Sequence, residues 1–320
     1  MKLRAILTLA VLAVGLTFFS YWMSQQSYSW FPPEASAESK MIDDLFAIFV
    51  GLGTFIFFGV SFPVIYSLIF HRAGKYDRSD GPPIEGNTTL EVVWTGVPLL
   101  LVAGLVIASY NTYTRINIQG PMELVHFHAP ALMESAYAEP IVGDKIDAPA
   151  YERIDVTAKQ WAWVFRYSDR DVTSTELHLP VDRRVILKLH SEDVLHGFYV
   201  PAFRLKQDVV PNHDIDFEFT PILTGKYRLR DSMYSGTYFA ANQADVVVQS
   251  IPDYEQWLSD AADQTPTPAF NQAAYEYVRG RGDGGRAKEK TAVRGWETVV
   301  PASPPIVNYA PKHEPTSPPA

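Results

Sequence analysis

The sequence predicts a membrane-anchored protein in two parts: an α-helical transmembrane hairpin, or a set of three helices, followed by an all-β domain of the sandwich or barrel kind. Three observations carry this. Two long runs, 45–70 and 92–109, contain no charged residue, and about 20 apolar residues suffice to cross a bilayer. A third apolar run, 5–23, follows the basic start Lys2–Arg4. From Tyr151 onward, short alternating or β-branched and aromatic segments recur between turn residues, the pattern of many-stranded β domains.

The totals narrow the function. The 320 residues carry a formal net charge of -9, which makes nucleic acid an unsuitable partner, because phosphate binding needs cationic surface. There is no cysteine. That excludes disulfides, thiolate metal sites, cysteine nucleophiles and a lipoprotein anchor together.

Residues 1–24 fit either a retained transmembrane helix or a signal segment, since both combine a basic start with an apolar stretch. The one A-x-A-like site, Ala35-Ser36-Ala37, lies well beyond that stretch. Residues 25–44 read as an extracytoplasmic linker with Glu34, Glu38, Asp43 and Asp44 against Lys40. Residues 45–70 and 91–110 are the two spanning helices. Pro63 and Pro98 lie inside them, which neighbouring helices make tolerable. The loop 71–90 carries Arg72, Lys75 and Arg78 and is cytoplasmic by the positive-inside bias. Everything after residue 110 then lies on the opposite face. Thr88-x-x-Glu91 fits a helix capping box. A carboxylate at the cytoplasmic membrane surface also suits proton collection, and both readings of Glu91 stand.

The runs 153–168, 183–191, 198–205, 214–221, 226–231 and 244–250 are the strands of a domain placed at 111–250. Asp169, Pro180-Val181-Asp182, Pro211-Asn212 and Thr224-Gly225 mark the turns between them. No helical stripe separates the strands, which argues against a parallel α/β fold. Residues 252–262 suit a short helix. The remainder of 251–320 is rich in Pro, Gly, Ala and charge and reads as a mostly disordered tail.

Five strings in chain order resemble subunit II of the haem-copper terminal oxidases: LEVVWTGVP (90–98), KQWAWVFRY (159–167), HSEDVLHGFYVP (190–201), LKQDVVPN (205–212) and TGKYRLRDSMYSG (224–236). The acidic linker and the GPPIEGN loop are similar to cyanobacterial members. The resemblance covers roughly 38–250. It implies a cupredoxin-like Greek-key sandwich, docked on a haem-bearing subunit I with the other oxidase subunits in a lipid bilayer, the domain facing the periplasm or thylakoid lumen.

Cytochrome c-oxidising members hold a dinuclear copper on the pattern H…C-x-E-x-C-x3-H-x2-M, with bridging thiolates and capping imidazoles, the soft donors such copper requires. Here the resemblance places His196 at the first histidine. Asp231 and Ser235 stand at the cysteines, Met233 at the glutamate, Phe239 at the second histidine and Asn242 at the methionine. The expectation is no metal and no cofactor in this chain, with haems and copper confined to subunit I. His190, His213 and the pair His126 and His128 lack companions for a metal site. Trp161 stands at the family's electron-entry tryptophan. Without copper beyond it, Trp161 reads as packing with Trp163, Phe165 and Tyr167. Glu91 stands at the mouth of the family's proton-uptake channel.

Quinol oxidases of the same superfamily carry a stretch similar to S-x-x-x-S-G-x-x-F, of which this chain shares Ser235-Gly236 and Phe239. It departs from them in keeping His196. The resemblance therefore implies a non-catalytic subunit for structure and proton uptake in an oxygen-reducing complex fed by quinol through subunit I. Two alternatives stay open: a complex still fed by a soluble carrier, and a membrane-anchored binding module outside any oxidase.

Overall fold

The structure is a computed structural model and describes residues 3–72, 74, 76, 86–116, 151–280 and 296–302. It divides into two compact units: Met1–Pro32 with Lys40–Ile116, and Pro33–Ser39 with Asn117–Ala320.

The first unit is helical: α1 (Leu3–Gln26), α2 (Ala37–Phe70, whose first residues belong to the second unit) and α3 (Thr88–Ile116). All three are long and apolar enough to cross a membrane. α1 seats on α2 through small residues. Ser24 Oγ donates to Ala47 O at 2.8 Å, and a Cβ on Gly51 would lie only 3.2 Å from Ser24 Cβ. Phe19 meets Phe58 edge-on, ring centroids 5.4 Å apart. Small residues allow close helix approach where lipid supplies no hydrophobic drive.

Two helix starts differ from expectation. α2 begins at Ala37 rather than 45, because apolarity marks the membrane-crossing part of a helix and not its end. α3 begins at Thr88 with Asn87 as its cap: Asn87 Oδ1 accepts from Leu90 N at 3.1 Å. Asn caps as well as Thr does, so the box expected of Thr88 and Glu91 does not form. Glu91 is instead an exposed first-turn carboxylate. Its Oε1 lies 3.0 Å from where a Cβ on Gly86 would stand. Lys75 and Arg78 of the loop, and His126 and His128, lie outside the described residues.

The second unit is a two-layer β sandwich. Its strands are β1 (Glu152–Lys159), β2 (Ala162–Tyr167), β3 (Val172–Ser174), β4 (Leu177–Pro180), β5 (Val185–Ser191), β6 (His196–Val200), β7 (Leu205–Val209), β8 (Ile215–Phe219), β9 (Gly225–Asp231) and β10 (Gln243–Gln249). One sheet runs β3-β2-β1-β5-β8 and the other β4-β10-β9-β6-β7. Most neighbours are antiparallel; β1 with β5 and β4 with β10 are parallel. The crossovers suit the cupredoxin-like fold. Alternate residues point inward. β1 buries Ile154, Val156 and Ala158, β5 buries Val185, Leu187 and Leu189, and β8 buries Ile215, Phe217 and Phe219.

The run 198–205 is two strands, not one. Pro201 lacks the N–H a ladder needs, and Arg204 takes a left-handed φ of 57° to reverse the chain. Asp182 and Asn212 turn the chain in the same region of φ, at 56° and 63°.

Two segments placed outside the domain belong to it. In the acidic linker, Ala35 N donates to Ala202 O at 3.0 Å and Ile222 N to Ala35 O at 2.9 Å. Glu38, 2 % exposed, pairs with Arg184 at 2.8 Å. Beyond Ser250 come α4 (Ile251–Ala262), β11 (Thr267–Pro268), α5 (Gln272–Gly280) and β12 (Glu297–Thr298). α4 buries Tyr254, Leu258 and Ala261, and its Trp257 stacks on His178 at 3.8 Å. Residues 281–295 and 303–320 of the expected tail lie outside the described residues. The rest is held by backbone hydrogen bonds and a few aromatic side chains, which composition does not reveal.

Candidate functional site

The inward alternation of the second sheet builds the candidate site. β6 turns Phe198 and Val200 into the core, and His196 shares their parity. β9 turns Leu229 inward, and Asp231 follows it at the strand's end. The two strands pair with Asp231 opposite Phe198. The rule that buries the apolar residues thus buries an imidazole and a carboxylate side by side. Both side chains have no exposed surface.

Asp231 is the hub. Its Oδ2 accepts from Ser235 Oγ at 2.8 Å and Asn242 Nδ2 at 3.0 Å, and lies 2.7 Å from His196 Nδ1. Its Oδ1 accepts from the backbone N–H of Gly197 at 2.8 Å and Met233 at 3.1 Å. The other imidazole nitrogen, Nε2, lies 2.8 Å from Asp193 Oδ1. Asp193 also anchors the β1–β2 turn, accepting from Gln160 N at 2.8 Å. Trp163 covers the imidazole edge-on at 6.0 Å and donates its indole N–H to Asn242 O at 3.3 Å.

A ring with a carboxylate on each nitrogen is an imidazolium, with both N–H groups donating. Burial alone pulls the His196 pKa down. The hydrogen bonds to Asp193 and Asp231 outweigh it and raise the value to about 9. Burial likewise opposes ionisation of Asp231 and Asp193. Their bonds from His196 and from backbone N–H groups nonetheless hold both below the usual carboxylate range. The result is a buried Asp–His–Asp chain that opens toward solvent only at Asp193.

The loop after β9 is held from outside the cluster. Trp161 Nε1 and Gln160 Nε2 both donate to Ser235 O, at 3.0 and 2.6 Å. Gly197 is where the two strands touch: a Cβ there would fall 2.2 Å from Ser232 Oγ.

The structure therefore brings His196, Asp231, Ser235 and Asn242 into one network, with Met233 joining by its backbone. Met233 Sδ points elsewhere, 3.8 Å from Lys206 Nζ. Phe239 is 37 % exposed and packs on Tyr234 at 5.3 Å. His190 pairs with Asp214 at 2.9 Å. Trp161 is 2 % exposed and meets Tyr238 at 5.3 Å. Asp193, Gln160 and Trp163 are the members that sequence reasoning missed. The one available signal was Asp193 three residues before His196, on the turn that enters β6.

Both nitrogens of His196 and both oxygens of Asp231 are engaged. Within the described cluster the one atom without a partner is Asn242 Oδ1, a single neutral oxygen. Among the described residues, no group of three or more His, Cys, Asp or Glu is arranged to hold a metal ion.

Two family models match the chain: the transmembrane domain of cytochrome c oxidase subunit II over residues 20–112 and its periplasmic domain over residues 171–241. Cytochrome c oxidase subunit 2 of Synechocystis sp. is 29% identical over 292 residues, covering 85% of this chain and 87% of that protein. The same subunit of Thermostichus vulcanus is 32% identical over 269 residues, covering 76% and 82%. Quinol oxidase subunit 2 of Bacillus spizizenii is 28% identical over 268 residues, covering 82% and 75%.

The raised His196 value sets a pH dependence. A histidine raised above its ordinary 6.5 adds stability that is complete below that value and is lost as pH rises through about 9. The lowered aspartates add stability present above their ordinary value of 3.8 and lost only as pH falls below it. Thermal melts of the purified protein should hold level just below pH 6.5, fall between 6.5 and about 9, and level off above that. In Asp231→Ala, which strands a buried imidazolium beside Asp193 alone, stability should drop by about 3–5 kcal/mol and the alkaline limb should move to lower pH. An unchanged alkaline limb would show that Asp231 does not hold the proton.

Proposed function

The chain belongs to the cytochrome c oxidase subunit II family, and on that premise we propose that it serves an oxygen-reducing terminal oxidase without a dinuclear copper of its own, the electrons entering from quinol at subunit I. The family places it as an integral membrane subunit with its β domain on the periplasmic side. One observation carries the finer reading. Where the family keeps a thiolate-bridged copper pair, this chain has the Asp193–His196–Asp231 network, with Ser235 and Asn242 filling its remaining hydrogen bonds.

The donors present do not fit such copper. A bridged pair needs two thiolates, and no cysteine exists anywhere in the chain. To ligate at all, His196 would first have to give up a hydrogen bond to a carboxylate. Asp231, at the first cysteine position, would have to shed two or three donors, each bond to a charged group being worth about 1.5–3 kcal/mol. Without a redox centre in the sandwich, a soluble carrier docked on it has no acceptor. A membrane quinol reaches subunit I by a route that avoids this domain. The subunit's own contributions are then structural support of the complex and proton uptake.

Glu91 is the residue we assign to proton uptake. Asn87 performs the capping that Glu91 would otherwise explain. Glu91 is left as an exposed carboxylate at the first turn of a membrane-crossing helix, where a helix N-terminus favours its charge. The other positions assigned from the resemblance take structural roles in this reading. His196, Asp231, Ser235 and Asn242 form the network, Trp161 ties down its loop, and Met233 and Phe239 lie beside it.

A second reading keeps a soluble electron carrier that reaches subunit I directly. The names of the Synechocystis and Thermostichus relatives favour it. The Bacillus relative, similar over a comparable length, favours quinol.

Oxygen consumption by the purified complex separates the two. Reduced quinol should support turnover and reduced cytochrome c should not; the reverse result rejects the quinol reading. With quinol as donor, Glu91→Gln should lower steady-state turnover several-fold without disturbing assembly. Full activity in that variant would remove the proton-uptake role.

A further inference from the structure

Residues 267–280 and 296–302 form a strap that is tied both to itself and to the sandwich. β11 pairs with β12, Thr267 opposite Thr298. Ala269 N donates to Trp296 O at 2.8 Å and Phe270 N to Ala302 O at 3.1 Å. The strap hooks onto the open edge of the first sheet at β3. Val299 N and Thr298 Oγ1 both donate to Thr173 O, at 2.8 and 3.0 Å, and Thr175 Oγ1 donates to Pro301 O at 2.6 Å.

From that hook, α5 is laid over the loop that closes the candidate site. Asn271, 3 % exposed, caps α5 by accepting from Ala274 N at 3.0 Å, and its Nδ2 donates to Gln160 O at 3.2 Å. Tyr277 of α5 then meets Trp161 edge-on, ring centroids 5.1 Å apart, and Tyr238 at 6.4 Å. Lys159 Nζ stands 5.1 Å from the Trp296 ring centroid.

We propose that this strap is a built-in lid, a segment of the chain itself occupying the face by which a soluble redox protein would reach Trp161. The proposal rests on the reading that the domain takes no electrons from a soluble carrier, and it names the part of the chain that enforces this. The contact chain is continuous: Asn271 to Gln160, Gln160 and Trp161 to Ser235, and Ser235 to Asp231. An external partner touching Trp161 has to displace Tyr277 first. The fixings divide in a useful way. The hydrogen bonds at Thr173 and Thr175 hold the strap to the sheet edge. Over Trp161 itself, α5 makes aromatic contacts through Tyr277 and the Asn271 bond to Gln160.

The test uses the purified complex in three forms: full-length, truncated after Asp263, and full-length carrying Asn271→Ala with Tyr277→Asp. The two readouts are hydroxyl-radical oxidation of Trp161 and Tyr238, followed by peptide mass spectrometry, and low-salt binding of mitochondrial-type cytochrome c as the probe. The lid predicts several-fold more oxidation of Trp161 in both altered forms, and salt-sensitive probe binding in them alone. Should truncation prevent assembly, the double variant decides. Unchanged protection of Trp161 overturns the lid, and so does exposure of Trp161 without any probe binding; neither touches the quinol reading. Cytochrome c turnover by the full-length complex overturns both at once.

Discussion

The Asp231 carboxylate is the group on which the rest of the β domain depends. Five donors converge on its two oxygens: an imidazolium, a hydroxyl, an amide and two backbone N–H groups. A buried carboxylate with this many partners is one that ionises readily, and an isolated one would not be tolerated. The same bonds fix His196 and Gly197 on β6, the loop through Met233 and Ser235, and Asn242 at the start of β10. Three separate pieces of chain are cross-linked by one side chain. Metal ions do comparable work in other small β domains, tying strand ends and loops to a point. In this chain the protonated His196 imidazole supplies positive charge at that point.

That arrangement gives the family resemblance its meaning. Keeping His196 while losing the thiolates looks like half of a site. In the structure it is a complete one, because Asp193 and Asp231 take up both imidazole nitrogens. Asn242 and Ser235 fill the space around the carboxylate with donors of suitable size. At the other end of the chain, Asn87 relieves Glu91 of any capping duty, and the family position for proton uptake is left exposed. The two halves of the subunit thus differ in kind. The membrane half presents an exposed carboxylate at a helix start, and the outer half is tied together by the Asp231 network.

The parts legible in the sequence were those governed by a period or a threshold. Uncharged runs longer than the bilayer thickness gave the membrane helices. Alternation gave the strands; the inward parity of His196 with Phe198 and of Asp231 with Leu229 emerges only once β6 and β9 are placed. What stayed hidden depends on contacts between segments far apart in sequence. Asp193 sits on a turn, where parity does not apply, and its partnership with His196 follows from how β6 leaves that turn. Asn87 and Thr88 are equally good caps, and only the helix geometry chooses between them. The acidic linker and the strap join the domain through backbone hydrogen bonds, to Ala202 and Thr173 among others, and any composition can make those. A stretch of mostly polar composition can therefore cover a sheet edge and a tryptophan.

The central claim is that this subunit reaches its folded state around a proton-bearing network where relatives are expected to hold copper. The direct measurement is metal accounting on the purified complex: copper and haem content per chain, with the near-infrared spectrum of the oxidised form. The account predicts copper matching only the oxygen-reducing centre of the haem-bearing subunit, and no near-infrared band from a mixed-valence pair. Two additional coppers per complex, accompanied by that band, would contradict it.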